Sequence, residues 1–328
     1  MNDNSRIKEY ITKLGGVPLR EDRDVDVTYI KGPNGEGGGA LATDGARMFC
    51  PGAYRDGAKH GVAAFDPERN TWESLTEEFA GVTSLAVSQG TLWAGTAKGG
   101  VWRCALASNE WQQWTVEQGL PDDRVMSLAT YESGVFVGLG TAAAGGVAFI
   151  DVDGRVSVLD GKDAPKAGPE HLVVQGEQLL VGTRSSLYEY DLAEKTWTRI
   201  PNTYGSRVFA GESHAWISKY GREIAPYGAD DKAAAIFKSA WFNEKGPSGY
   251  KVNFVVEHKN QIWFGGYPWA RFRSVGFYRI NPETGEYRMY NMRDGFRMST
   301  TYATFSGVAI GNDLFLATSA GLARVTPR

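Results

Sequence analysis

The chain has 328 residues, of which 42% are hydrophobic and 22% are charged, a composition typical of a globular protein with a large buried core. The net charge of −3 argues against nucleic acid as a partner, and no apolar run is long enough to span a membrane. The 41 glycines and the aromatic content of 12% fit short strands joined by tight turns.

The beginning of the chain, residues 1–16, contains no apolar stretch of the signal-peptide type. The protein is therefore expected to be cytoplasmic, or extracytoplasmic if a leader or a larger parent protein has been removed. Within this segment, residues 7–14 are predicted to form a β-strand that belongs to no complete repeat.

A short motif recurs along the chain: a large apolar residue, an aromatic or apolar residue, another apolar residue and a small one. Its seven copies, two of them degenerate, begin at Arg47, Leu92, Val135, Leu179, Ala215, Ile262 and Leu314. Successive copies are 36–52 residues apart, and a period in the forties matches one propeller blade of four strands. Seven copies therefore predict seven blades.

The residues around each motif supply the other strands of a four-stranded antiparallel blade. An apolar strand precedes the motif, and a third strand, a polar hairpin and an aromatic-bearing fourth strand follow it. The last copy lacks a fourth strand, so the N-terminal strand at 7–14 is predicted to complete it and close the ring. The sequence thus predicts one all-β domain over 1–328, a seven-bladed β-propeller. Its blades are predicted at residues 39–76, 82–116, 125–160, 171–201, 206–240, 252–291, and 303–328 with 7–14.

Blade three carries a recognisable family pattern. Residues Gly119–Leu128 begin with Gly-Leu-Pro and run into a strand, and Val135–Gly138 and Gly146–Val147 follow. In these residues the chain resembles the two-component-regulator-type propeller repeat, and the resemblance covers about five of the seven repeats. It implies a propeller fold, and it implies a sensor or interaction module outside the cytoplasm that is attached to signalling domains.

No metal or cofactor site is predicted. Asp22, Asp24 and Asp26 alternate like calcium ligands, but the glycine and closing glutamate of an EF-hand loop do not follow. Salt links with the neighbouring arginines are the preferred interpretation. Cys50 and Cys104 fall in predicted strands and are interpreted as buried free thiols, with pairing left open if their strands are adjacent. The four histidines lie in separate blades without metal-ligand spacing: His60, His171, His214 and His258.

Propellers usually bind ligands at one mouth of the central channel, in the loops that leave second strands and enter first strands. The long loops of this type are 15–39, 51–60, 241–250, 267–275 and 291–302. They cluster in blades six, seven and one, which ring closure makes neighbours, and long loops in compact domains are more often functional than filler. The candidate ligand-binding residues are Tyr54, Arg55, His60, Tyr267, Trp269, Arg271, Arg273, Arg293, Arg297 and Tyr302. His171 also lies in a rim loop from which it could reach the mouth.

Arginine presents a rigid fork that suits carboxylate or phosphate, and aromatic faces stack on sugar rings or bases. The leading hypothesis is a non-catalytic module that binds an anionic small molecule, glycan or peptide. In the alternative interpretation of the rim, its arginines pair with Asp56, Glu244 and Asp294 and brace the loops.

Two further functional hypotheses remain open. One is a propeller lyase or hydrolase acting on an acidic saccharide, with His60 or Tyr302 transferring protons. The other is a scaffold for protein–protein interaction. No nucleophile elbow or Cys–His pair stands out in the sequence, so no catalytic residue is assigned.

Overall fold

The computed structural model describes residues 19, 21–32, 39–52, 54–55, 58–132, 134–141, 143–203, 207–219, 223–228, 250–268, 277–297 and 303–328. These residues form seven antiparallel sheets that follow one another around a ring. The predicted fold, an all-β propeller of seven blades, is confirmed.

The strands of each blade are called first to fourth, counted from the channel outward. First strands are Ala42–Thr43, Val82–Ser88, Val125–Tyr131, His171–Gln175, Arg207–Phe209, Tyr250–His258 and Thr304–Ile310. Second strands are Met48–Pro51, Thr91–Thr96, Gly134–Gly140, Gln178–Gly182, Trp216–Lys219, Gln261–Pro268 and Asp313–Thr318. Third strands are Ala58–Asp66, Val101–Ala105, Gly145–Ile150, Leu187–Asp191, Glu223–Pro226, Phe277–Ile280 and Gly321–Pro327. Fourth strands are Thr71–Ala80, Glu110–Trp114, Val156–Val158, Thr196–Ile200, Tyr287–Tyr290 and Val25–Ile30.

Two blades depart from this scheme. Blade five has three strands within the described residues, and blade one has a short extra strand, Tyr54–Arg55, paired with its third strand. Two 3-10 helices, Val116–Gln118 and Met292–Asp294, are the helical segments of the described chain. No helix in that part of the chain has the length and apolar character needed to cross a membrane.

The ring is closed by a different strand from the one predicted. Residues 7–14 lie outside the described residues, and the fourth strand of blade seven is Val25–Ile30. It pairs antiparallel with Gly321–Pro327, with Val25 opposite Pro327 and Ile30 opposite Leu322. This strand lies within residues 15–39, which the sequence predicts as a long loop; Asp22 and Asp24 precede it, and Asp26 is its one acidic residue.

The alternation gives the closing strand one apolar face and one charged edge. Val25 is fully buried, whereas Asp24 and Asp26 form ion pairs. One oxygen of Asp24 lies 2.9 Å from Arg279 of blade six, and the Asp26 carboxylate lies 2.5 Å from Arg328. The predicted salt links of these aspartates therefore exist, but their partners are arginines distant in the sequence.

The described residues form seven hydrophobic core clusters, and each draws its residues from two neighbouring blades. In the cluster between blades seven and one, Met48 and Phe65 pack with Phe315 and Leu322. The recurring motif supplies Met48 and Phe315, because a second strand is covered on both faces by adjacent blades, as in other stacked sheets.

The small residue that ends the motif has a steric role. A Cβ atom at Gly138 would lie 2.5 Å from Ser127 Oγ and 2.8 Å from the carbonyl oxygen of Pro169. Ser127 Oγ donates a hydrogen bond of 2.7 Å to that carbonyl, which links blade three to blade four. Glycine at this position therefore permits the close approach of two blades.

We expect removal of residues 1–30 to lower the melting temperature sharply, because it deletes the strand that closes blade seven and exposes its third strand. Removal of residues 1–14 should change the melting temperature little, because Val25–Ile30 remains in place. Thermal unfolding followed by circular dichroism compares the two truncations with the full chain. Equal losses in both truncations would show that the predicted strand at 7–14 is needed for closure.

Candidate ligand site at the channel mouth

Every first strand begins, and every second strand ends, on the same side of the ring, which we call the mouth face. A cavity of about 580 Å³ opens there, and six of the seven blades contribute to its wall. Its described lining residues are Thr83, Ala97, Arg124, Val125, Met126, Gly140, Thr141, Glu170, His171, Arg207, Asn253 and Phe305. The cavity therefore lies at the mouth of the central channel, on the face where the sequence predicted a site.

Four of these residues occupy equivalent positions. The pairing of first and second strands is interrupted by one extra residue in blades two, three, six and seven. The extra residues are Thr83, Met126, Asn253 and Phe305, and all four line the cavity. Such β-bulges leave one residue outside the ladder and redirect its side chain, often next to a functional site.

Blades four and five place charged groups in the same wall. Arg207 is 12% exposed, and its Nη1 donates hydrogen bonds of 2.9 Å to the carbonyl oxygen of Val252 and to Asn253 Oδ1. Its Nη2 lies 3.8 Å from Glu170 Oε2. The guanidinium is thus anchored by one nitrogen to blade six and faces a carboxylate of blade four with the other.

Arg124 adds a second positive charge to the wall, and two hydrogen bonds fix the position of its main chain. Its N–H donates to Asp122 Oδ1 at 2.7 Å, and its carbonyl oxygen accepts from Gly140 N at 2.9 Å. The side chain is exposed, and within the described residues its guanidinium has no ion pair with a carboxylate. This charge is free to bind an anion.

The protonation states follow from burial. Burial, with a smaller contribution from the Arg207 charge, lowers the pKa of His171 to about 3, so its imidazole is neutral at pH 7. Burial also lowers the pKa of Arg207 to about 10, opposed by Glu170, and the guanidinium remains protonated. Two guanidiniums and one carboxylate therefore leave the described wall with a net positive charge.

Hydrogen bonds between first strands hold the mouth in shape. Thr83 Oγ1 donates to the carbonyl oxygen of Val125 at 2.9 Å, which joins blades two and three. Asn253 Nδ2 donates to the carbonyl oxygen of Thr304 at 2.8 Å and joins blades six and seven. Arg207 joins blades five and six through Val252. These three wall residues are thereby oriented by the neighbouring blade before any ligand arrives.

The predicted rim residues lie elsewhere or outside the described residues. Arg293 and Arg297 are exposed in the connection between blades six and seven, on the mouth face. The Arg297 N–H donates to the Tyr29 hydroxyl at 2.9 Å, and its guanidinium lies 4.3 Å from the centre of the Tyr29 ring. Neither arginine, nor His60, is among the cavity-lining residues, whereas His171 is. The following lie wholly or in their side chains outside the described residues: Tyr54, Arg55, Tyr267, Trp269, Arg271, Arg273 and Tyr302.

Part of this connection is structural. Asp294 is fully buried, accepts a hydrogen bond of 2.9 Å from Asn291 N, and lies 3.7 Å from Arg288. Gly295 follows with a φ of 105°, and Phe296 enters the cluster between blades six and seven. Among the ion pairs of the described residues, Asp294 pairs with Arg288, and its expected pairing with a rim arginine stays a prediction.

Of the described lining residues, sequence reasoning named His171 and missed the rest, including the charged and amide side chains of Arg124, Glu170, Arg207 and Asn253. These four residues share their position in the blade, since each lies at or near the start of a first strand. The prediction rests on the long loops and therefore selects rim residues, whereas the cavity is formed at the ends of the innermost strands.

A second cavity, of about 680 Å³, lies on the opposite face between blades five and six. Its wall includes the carboxylates of Glu212, Glu257 and Glu283 against one lysine, Lys259. The negative charge of this wall does not suit an anion, so the mouth cavity is the better match to the predicted ligand class.

Metal and thiol chemistry have no support within the described residues. No group of three or more His, Cys, Asp or Glu side chains is placed there to hold a metal ion. Cys50 and Cys104 are both buried thiols, as the sequence indicated. Burial raises the pKa of Cys104 to about 11, so this thiol stays protonated at neutral pH.

No protein-family model matches the chain, and no curated protein matches its sequence. Solved structures match its fold. An extracellular domain ascribed to a hybrid two-component system of B. thetaiotaomicron is 11% identical, with a TM-score of 0.65 over 93% of this chain and 42% of that one. A catalytically inactive virginiamycin B lyase of Staphylococcus aureus with quinupristin is 12% identical, with a TM-score of 0.66 over 92% and 98% of the two chains. YCF48 bound to D1 peptide is 10% identical, with a TM-score of 0.64 over 95% and 99%. These similarities show the propeller fold.

We expect acid to destabilise the protein partly through His171. Its pKa in the folded state is about 3, well below the unfolded value of about 6.5, so the unfolded chain binds the extra proton. The stabilising contribution is complete above pH 6.5 and is lost as the pH falls from about 6.5 towards 3, by at most about 1.4 kcal/mol per pH unit.

The measurement is the free energy of unfolding in urea between pH 8 and pH 5 for the parent protein and His171→Gln. The variant should show the smaller loss over this range, and the difference at pH 8 reports packing alone. Parallel curves for the two proteins would contradict a buried neutral His171.

Proposed function

We propose that the protein is a non-catalytic propeller module that binds an anionic ligand at the mouth of its central channel. The observation that carries this proposal is the placement of Arg124 and Arg207 in one cavity wall where Glu170 is the one carboxylate among the described residues. The cavity has a volume of about 580 Å³, which lies in the range of small-molecule sites and also admits a peptide segment.

The chemistry of the wall supports binding rather than proton transfer. A general acid or base works best with a pKa near the operating pH, and that of His171 is far below it. His171 is the single histidine among the described lining residues, and no tyrosine is among them. Neither a histidine nor a tyrosine of the described wall therefore supplies a proton-transfer group at neutral pH.

The ligand classes that fit are an anionic small molecule, an acidic glycan or an acidic peptide. Met126 and Phe305 give the wall an apolar side, and Phe305 is 39% exposed. A peptide ligand is supported by the similar fold of YCF48, which is bound to a peptide. We further propose that the rim arginines Arg293 and Arg297 extend the positive surface on the same face and contact the outer part of a longer ligand.

A role in sensing is consistent with this binding function. The resemblance of blade three to two-component-regulator-type repeats and the similar fold of an extracellular two-component domain both support a sensor or interaction module. Ligand occupancy of the mouth would then be the signal that a partner protein detects.

Arg124→Gln tests the site with little risk to folding, because this side chain is exposed and makes no described ion pair. The matched control is Arg155→Gln, in the same blade, where Arg155 is 78% exposed in the turn between the third and fourth strands. Thermal unfolding is measured with galacturonate, an acidic hexapeptide and glucose 6-phosphate, and with the uncharged counterpart of each. A ligand at about 100 times its dissociation constant should stabilise the folded state by about 2.7 kcal/mol.

We expect at least one anion to raise the melting temperature of the parent and of the Arg155→Gln control. The same anion should have a much smaller effect on Arg124→Gln, and the uncharged counterparts should have none. An equal response of all three proteins would exclude Arg124 from the site. If no anion acts on the parent protein, the proposed function is wrong and partner proteins become the next ligands to test.

A further inference from the structure

Glu170 is the one acidic residue among the described residues that line the mouth cavity. Its position is fixed by blade four, because its N–H donates a hydrogen bond of 2.8 Å to the carbonyl oxygen of Gly182. The side chain is 26% exposed and faces Arg207. A carboxylate in a site for anions weakens binding through repulsion, so its presence calls for a physical explanation.

Glu170 and Arg207 face each other at a distance longer than a direct hydrogen bond. The distance of 3.8 Å between Oε2 and Nη2 exceeds the usual hydrogen-bond range of about 2.7–3.2 Å. Arg207 Nη1 is already bonded to Val252 and Asn253, so Nη2 is the nitrogen that remains for an incoming oxygen. A ligand oxygen at Nη2 would have the Glu170 carboxylate as its neighbour.

The charge balance of the wall then limits the charge of the ligand. Arg124 and Arg207 contribute two positive charges, Glu170 removes one, and His171 is neutral. A monoanion neutralises the remaining positive charge of the wall. A dianion places its second negative charge near Glu170, in a partly buried site where screening by solvent and salt is weak. The apolar side of the wall, Met126 and Phe305, is available to the uncharged body of the ligand.

We infer that Glu170 sets the charge selectivity of the mouth and that the ligand class is a carboxylate carried on a partly apolar body. This inference rests on the proposed function, since it names the ligand class of the same site. The carboxylate could belong to a peptide chain end or to a uronic acid, which present the same group. Phosphate esters, which are dianions at mildly alkaline pH, are rejected by Glu170.

The test uses two probes that share a phenyl body and differ in charge, phenylacetate and phenyl phosphate. Binding is measured at pH 8 by isothermal titration calorimetry, and folding is checked by circular dichroism. We expect the parent protein to prefer phenylacetate. Glu170→Gln should raise the affinity for phenyl phosphate by about tenfold and that for phenylacetate by less than about threefold, because only the dianion carries the second repelled charge.

Two further variants separate charge from structure. Glu177→Gln removes a carboxylate from the same blade on the opposite face, in the exposed turn between the first and second strands, and should leave both affinities unchanged. Glu170→Asp retains the charge and should keep the preference for phenylacetate. If Glu170→Gln binds both probes with the parent's preference, or loses both, Glu170 is not the selectivity residue. Failure of every protein to bind either probe would instead overturn the proposed anion site itself.

A final arm identifies the source of the carboxylate. A peptide ending in phenylalanine is compared with its C-terminal amide, and galacturonic acid is compared with galactose. Binding of the free acid but not its neutral counterpart, in either pair, supports the inference and names the source. Equal binding of acid and neutral forms in both pairs would overturn it.

Discussion

The antiparallel pairing of Val25–Ile30 with Gly321–Pro327 is the contact on which the rest of the molecule depends. It lies inside blade seven, so the ring is closed within a sheet by backbone hydrogen bonds and a buried valine. Register is specified because a shift by one residue would turn Val25 outward and bring Asp24 and Asp26 towards the core. The ion pair of Asp24 with Arg279 of blade six then ties the closed blade to its neighbour.

The proposed ligand site depends on this closure, because its wall draws residues from six blades around the ring and would not form in an open array of blades. Its polar members are held by the adjacent blade, as in the hydrogen bond of Arg207 to Val252 and that of Asn253 to Thr304. A site placed on strand ends of a rigid scaffold loses little conformational freedom when a ligand binds. The bulges make this arrangement compatible with an unbroken core, since they turn one residue of a strand to the channel while its neighbours remain in the sheet.

The sequence was sufficient for the blades and insufficient for the site, and the reason is physical. A second strand covered on both faces must be apolar along its length, so all seven motif copies are visible in the sequence and all seven are second strands. The closing strand Val25–Ile30 is covered on one face only, so it lacks the continuous apolar run of a second strand. Arg124, Glu170 and Arg207 belong to three different blades, and only the curvature of the ring brings them into one wall. Their convergence leaves no local pattern.

The division of the core into seven separate clusters determines what would happen if the ring opened. Since each cluster is shared by two blades, no blade has an interior of its own. Opening the ring at one joint would expose two different apolar surfaces, each of which fits the other. On separate molecules these surfaces would join head to tail in a contact that does not close, which is the geometry of open polymers. The strand that completes blade seven therefore also protects the folded chain from self-association.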